Sequence, residues 1–337
     1  MLNSKKKLAY VDHNYHSKTR SGDFLRDVFK SKFLIKDFWI DKNLKFSEDF
    51  FLHNNFFFFQ ILPPIKILEK IKNRNIMWAP MYDSPHHPIG FSPLLWKIIK
   101  YYNIKVLSFS KNLTLSMNKS KVKFINLKYY KKSKIKICKP KKKVNIFFWY
   151  REDIKIEDWI DFFSPKTINK ITLFDSENKN KIKIPNVIKS NFQVKYVRKN
   201  FSKKNNSFIK TINKNDIFVA PRKKEGIGMA LVEALSQGKY LLGYNESTMN
   251  EYIENNKIGF LFPNKKKIEI SLIKKYFNYR LKNNNLNYNK WQKDKLKILK
   301  FFNKKTDKTK VKNISLVTIY IEYYLRLIVR RLFNFTY

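Results

Sequence analysis

Glu225 and Glu233 bracket a short stretch that also holds Gly226 and Gly228. A carboxylate accepts two hydroxyl hydrogen bonds at once, so each glutamate is suited to a sugar or ribose diol. The glycines stand between the apolar run DIFVAP, a strand pattern, and MALVEALSQ, a helix pattern. A turn that leads into a helix presents free backbone N–H groups and the positive end of the helix dipole, which suits a diphosphate. The chain has only seven glycines, and five of them (Gly226, Gly228, Gly238, Gly243 and Gly259) fall between Asp216 and Phe262. Such clustering marks backbone positions that need positive φ or close approach. The structural alternative is ordinary turns and caps: Gly238 fits the end of a helix, and Glu233 fits a solvated helix position. Arg222, Lys223 and Lys224, just before Glu225, are candidate phosphate contacts.

As a combined pattern, Pro221, Glu225-Gly226-Ile227-Gly228, Glu233-Ala234 and Gly238, followed by NEYIENNKIGFLF, resembles the donor-binding part of retaining GT-B glycosyltransferases, the group 1 family. The resemblance is close from Asp216 to Phe262 and loose elsewhere. It implies that Glu225 faces the transferred sugar and acts in catalysis, and that Glu233 binds the ribose hydroxyls. Gly226 and Gly228 then approach the donor, and the turn from Asn245 through Ser247 and Thr248 lies near the diphosphate. Thr248-Met249-Asn250-Glu251 also has the spacing of a capping box, a structural role. The family often places a basic pair after the first strand of its donor domain. Arg151 follows VNIFFWY, and Lys155 comes four residues later, without the family's flanking glycines; a plain surface role is the alternative.

The N-terminal half departs further from the family. Where relatives carry a glycine-rich loop, this chain has HNYHSKTRSGDF, with one glycine, Gly22. Strand ends in α/β sheets face the ligand crevice, which makes His13, His16 and Arg20 acceptor-side candidates, with Asp23 beside them. The family works without a metal, so none is expected at His13 and His16. Asp83 and His86, in MYDSPHHPIG, are candidates to position the acceptor hydroxyl in catalysis; a Pro-rich structural loop is the alternative reading.

These residues need elements to hold them. KLAYVDH, KFLIKDFWID, the continuous apolar run Phe56–Leu62, NIMWAPMYD and IKVLSFS read as strands, and IKILEKIKN and FSPLLWKIIKYYN as helices. The alternation restarts with VNIFFWY as a strand, IEDWIDFF as a helix, and KITLFDS, QVKYV and DIFVAP as further strands. Strands alternating with helices predict parallel α/β sheets. The fold class expected is α/β, of GT-B type, with two Rossmann-like domains facing a central cleft. The boundaries expected are an acceptor-side domain at 1–130, a linker at 131–143 holding eight lysines and no acid, a donor-binding domain at 144–312, and an amphipathic helix at 313–337. In that helix Glu322, Arg326 and Arg330 make a narrow polar stripe, and Ile314, Val317, Ile321, Tyr324, Leu325 and Ile328 form the apolar side expected to dock on the protein or on a membrane.

The 337 residues carry a net charge of +45 with 43% apolar content, enough for packed cores. Lys, Asn, Ile, Phe and Tyr are in excess, the bias of an AT-rich genome, and most of the charge reads as that drift. Lysine dominates, whereas phosphate-reading surfaces favour the arginine fork. No nucleic-acid-binding motif is present, so nucleic acid is not an expected partner. The expected partners are a nucleotide sugar, a glycan or lipid-linked acceptor, and an anionic membrane surface. No cofactor is expected, since the nucleotide-diphosphate sugar is a co-substrate. One cysteine, Cys138, excludes an internal disulfide, and no signal peptide or spanning segment is read, so a cytoplasmic protein, peripheral on the inner face of the membrane, is expected. The function implied is transfer of a sugar with retention of configuration, in surface polysaccharide or lipopolysaccharide biosynthesis. The rival readings are a basic nucleic-acid-binding protein and an inactive glycosyltransferase-like scaffold.

Overall fold

The computed structural model describes residues 5–41, 45–83, 87, 89–133, 142–151, 153–175, 184–198, 207–254, 256–263, 266–304 and 316–332. The chain divides into two compact units, one of residues 1–128 and 292–337, the other of residues 129–291.

In the first unit, β1 (Lys6–His13), α1 (Asn14–Thr19), α2 (Asp23–Lys30), β2 (Phe33–Ile40), β3 (Asn55–Phe59), α3 (Ile65–Ile71), β4 (Asn75–Ala79), α4 (Pro93–Tyr101), β5 (Lys105–Ser108), α5 (Lys111–Lys119) and β6 (Phe124–Asn126) follow in order. The strands pair in parallel as β2-β1-β3-β4-β5-β6. The run of phenylalanines in β3 is continuous because both faces of the sheet are covered: Phe56, Phe57 and Phe58 are all fully buried. Ser92 and Ser110 cap α4 and α5 by accepting from Leu95 N and Leu113 N.

In the second unit, β7 (Val144–Trp149), β8 (Ile168–Asp175), α6 (Asn186–Asn191), β9 (Val194–Arg198), α7 (Ser207–Asn213), β10 (Ile217–Val219), α8 (Met229–Ser236), β11 (Tyr240–Tyr244), α9 (Met249–Tyr252), β12 (Gly259–Phe262) and α10 (Ile270–Lys275) form a second parallel sheet, ordered β12-β11-β10-β7-β8-β9. The strand order reverses at β7, the arrangement that opens a ligand crevice at the strand C-termini. IEDWIDFF is not an α-helix: it forms two 3-10 turns, Ile156–Asp158 and Ile160–Phe162, because Trp159 between them sits at φ −139° and buries its indole in the core.

A long helix, α11 (Phe277–Asn303), begins in the second unit and ends in the first, and α12 (Leu316–Leu332) belongs to the first. The expected boundary at residue 312 is therefore corrected, since residues 292–337 group with the N-terminal half. Phe302 of α11 packs edge-to-face against Phe29 and Phe33, and Ile319 and Tyr323 of α12 enter the first core. The expected linker is corrected at its start as well. Tyr129 and Lys131 belong to the second unit, where Asn284 of α11 donates to Lys131 O (2.9 Å) and to Ser133 Oγ (2.8 Å). Its residues 134–141, Cys138 among them, lie outside the described residues.

Arg280 of α11 is fully buried and donates to the carbonyls of Gly238 (2.9 Å), Lys257 (3.2 Å) and Ile273 (2.7 Å). One planar fork thus satisfies three backbone acceptors that burial would otherwise strand. Burial lowers its pKa to about 10.

Candidate functional site

The switch point of the second sheet lies between β7 and β10, and Arg151 and the Arg222–Gly228 loop follow these two strands. After β7, Arg151 lies half-buried with its guanidinium over the Trp149 ring, 4.2 Å from the centroid. After β10 comes the loop Arg222–Gly228. Two contacts clamp that loop from opposite sides. Asp153, from the segment after β7, accepts a hydrogen bond from Lys223 N (2.6 Å). Thr248, from the turn after β11, donates through Oγ1 to the carbonyls of Glu225 (2.5 Å) and Gly226 (2.9 Å). With its carbonyls held this way, the loop delivers the chain to the start of α8.

Gly228 caps α8 at φ 67°, ψ 55°, in the left-handed region, where a Cβ would also sit 3.0 Å from Met249 Cε. Glycine is the residue for that position. The first N–H groups of α8 have no partner within the helix, and no acidic side chain occupies its first turn. At the other end, Gly238 follows the helix at φ 70°. Its N–H bonds to Leu235 O and that of Lys239 to Ala234 O, the paired bonds of a Schellman cap.

Glu233, one turn inside α8, is only 5% exposed, so it is not a solvated helix residue. Its Oε1 accepts from Gln237 Nε2 (2.9 Å), and its Oε2 pairs with Lys131 Nζ. Lys131 lies 102 residues away in sequence and carries no motif; the sequence reading treats it as linker. Glu225 is half-buried at the centre of the clamped loop.

Ser247 and Thr248 lie beside this loop, both buried. Ser247 Oγ donates to Glu251 (2.6 Å). The capping box expected from Thr248 to Glu251 does not form: Thr248 makes no side-chain cap, because its hydroxyl holds the glycine loop, and Glu251 is engaged by Ser247. Lys155 is exposed, and its N–H bonds to Asp158 Oδ2 (2.7 Å) at the start of a 3-10 turn. Nearby, burial and the charge of Glu251 push the Tyr130 phenol up to about 12.

The first unit has its own switch point, between β1 and β3, and there the sequence reading missed the central residues. Asp12, the penultimate residue of β1, is fully buried. Its Oδ1 lies 2.6 Å from His16 Nδ1, and its Oδ2 accepts from Arg26 Nη2 (3.0 Å). Arg26 also donates to Asp37 (2.7 Å) and lies over the rings of Tyr10 (4.1 Å) and Trp39 (4.5 Å). Burial opposes the charge of Arg26, but Tyr10, Asp37 and Asp12 together hold its pKa above the ordinary value. Burial and then Asp12 raise the Tyr10 phenol well above its usual range. His16 is thereby oriented by a buried carboxylate, with its ring against Phe59 at the end of β3 (5.6 Å). His13 instead caps α1, accepting from Tyr15 N (3.1 Å). Arg20 takes a left-handed backbone (φ 58°) after α1, and its side chain pairs with Asp23 at 2.9 Å. Asp83 is exposed on a turn after β4, and His86 lies outside the described residues. Among the described residues no group of three or more His, Cys, Asp or Glu is placed to hold a metal ion.

Residues 196–297 match the family described as glycosyl transferases group 1, a span that contains the clamped loop and α8. No curated protein matches the chain in sequence. Among solved structures, a glycosyltransferase from Rickettsia africae ESF-5 is similar at 12% identity and a TM-score of 0.58, over 90% of this chain and 100% of that one. Anabaena HepE in complex with UDP-glucose is similar at 11% identity and a TM-score of 0.55, over 87% of this chain and 99% of that one. At such identities the likeness is one of fold. Residues 196–297 thus carry a match to the glycosyl transferases group 1 family, and the chain has the two-sheet GT-B fold of these glycosyltransferase structures.

Proposed function

We propose that the chain moves a sugar from a nucleotide-diphosphate sugar to a glycan or lipid-linked glycan, with retention of configuration, in surface polysaccharide or lipopolysaccharide biosynthesis. The observation that carries the donor reading is the loop Arg222–Gly228, held at the β7–β10 switch point by Asp153 and Thr248. HepE, of the same fold, is solved with UDP-glucose, which supports the donor class. In this reading the backbone N–H groups at the start of α8 receive the diphosphate, with Arg151 as counter-charge and Lys155 as an outer contact. Gly226 and Gly228 allow the close approach. Glu233 takes the ribose hydroxyls while sharing its carboxylate with Lys131, and Glu225 contacts the transferred sugar. Ser247 and Thr248 lie near the diphosphate, with Thr248 also holding the loop by the carbonyls of Glu225 and Gly226.

Retention needs no dedicated nucleophile. The chain's contribution is charge stabilisation of the departing diphosphate and positioning of the acceptor. On the acceptor side, His16 with Asp12 is the best-oriented group, with His13, Arg20, Asp83 and His86 as further contacts. A thermal-shift screen against nucleoside diphosphates and their sugars tests the donor reading, since a true ligand stabilises the fold by mass action. A panel without any stabilising nucleotide overturns it. Anomeric coupling constants of the product test retention separately.

A further inference from the structure

α12 presents apolar side chains on two sides. Ile319 and Tyr323 are buried in the first core, with Tyr320 and Leu327 packed against it. On the outer side Val317, Ile321, Tyr324, Leu325, Ile328 and Leu332 are between 47% and 73% exposed. Their spacings of three and four residues place them on one continuous stripe. Of the face expected to dock on the protein or on a membrane, Val317, Ile321, Tyr324, Leu325 and Ile328 are exposed and so do not pack on the first core, and Ile314 lies outside the described residues. Along one margin of the stripe Glu322 bonds Arg326 (3.0 Å) and faces Lys97 of α4 (3.5 Å). A row of exposed apolar residues is a surface for a partner rather than for water.

We propose that the outer face of α12 lies in the plane of an anionic bilayer, inserting this stripe to the level of the headgroups. Charge complementarity selects that occupant. The chain carries 71 basic and 26 acidic residues, so an anionic surface attracts it over long range. A second copy brings the same +45, and pairing two such stripes sets like charge against like. Tyr324 within the stripe and Arg326 at its margin are residue types that settle at the membrane–water boundary. α12 lies on the membrane in this proposal and does not span it, and among the described residues no helix is long and apolar enough to cross. The inference is independent of the donor chemistry and holds or fails without it.

The test is co-sedimentation of the full chain with vesicles of phosphatidylglycerol and phosphatidylcholine, against phosphatidylcholine alone, at low and high salt. Binding is expected to the anionic vesicles, weakening with salt. A variant carrying Ile321→Asp and Ile328→Asp, both exposed sites, is expected to lower the partition roughly tenfold or more with an unchanged melting temperature. Three results overturn the proposal. The wild-type chain stays in the supernatant with anionic vesicles at low salt. The double variant sediments as well as the wild type. Or sedimentation equilibrium shows a dimer that the double variant dissociates, without vesicle binding. Nucleotide-induced thermal shifts, measured on the same variant, report on the donor site separately.

Discussion

At the scale of single residues, Glu225 and Glu233 are distinguished by what already holds them. Glu233 is buried with both oxygens engaged by Gln237 and Lys131. Glu233→Ala is therefore expected to weaken donor binding by about 1.5–3 kcal/mol and to lower stability by about 1–3 kcal/mol through the partners it strands. Calorimetric titration and urea unfolding read the two effects, and an unchanged affinity removes Glu233 from the site. Glu225 sits in the loop itself, so Glu225→Gln is expected to reduce kcat more than it raises KM; equal changes in both assign it to plain binding. Lys105 carries the pH dependence. It is buried beside Asn75 and the carbonyl of Phe302, and burial, with Lys123, lowers its pKa from 10.5 to about 8. Between those values the unfolded chain holds a proton that the folded chain has lost, so stability rises with pH across that window. The stability difference between wild type and Lys105→Met should shift toward the wild type as pH rises from about 8 to 10.5. A pH-independent difference contradicts this. The legibility of these residues follows their separation. Glu225, the glycines and Glu233 form one local run and could be read directly. The Asp12–Arg26–Asp37 network depends on the β1–β2 register, which sets Tyr10 opposite Asp37, and Lys131 meets Glu233 only after folding.

Among the elements, the strands were the most legible because buried parallel strands carry continuous apolar runs, as in β3 and β10. Helices were legible where a cap and a one-sided pattern coincide, as in α4. α11 went unread: its lysines and asparagines dilute the periodicity, and three of its eight buried residues, Arg280, Asn284 and Asp294, are polar or charged. In α12 the apolar residues surround most of the helix, so spacing alone could not say which arc docks. The turn after β11 shows how an element acts through its neighbour. Thr248→Val removes two bonds to the glycine loop, which should cost about 1–3 kcal/mol in all. Donor affinity should fall while the α8 amides keep their hydrogen-exchange protection. Loss of protection along α8 would mean that the threonine supports the helix rather than the loop.

For the whole molecule, sequence order misleads about which parts stand together. Residues 292–337 complete the N-terminal unit, which no local pattern announces. Removing residues 316–332 strips Ile319 and Tyr323 from that core. At about 1.5–3 kcal/mol for each buried side chain, the loss should be about 3–6 kcal/mol. Hydrogen exchange should then speed up in β3, β4 and α4 while β7, β10 and α8 keep their protection; uniform change throughout the chain would contradict this division. The composition adds a different kind of record. Only 10 of the 71 basic residues are arginines, so the chain behaves as though most of its cationic positions had been offered lysine and had accepted it. Arg280 shows where that exchange stops. An ammonium is one compact charge, whereas three carbonyls approach Arg280 from separate directions, and a planar fork meets all three without moving. Arg26, between two carboxylates and two rings, is held in the same way. In a lysine-rich background Arg280 and Arg26 thus mark places where shape as well as charge is required, and Arg151 and Arg222, on the two loops at the β7–β10 switch point, are among the ten arginines that the chain keeps.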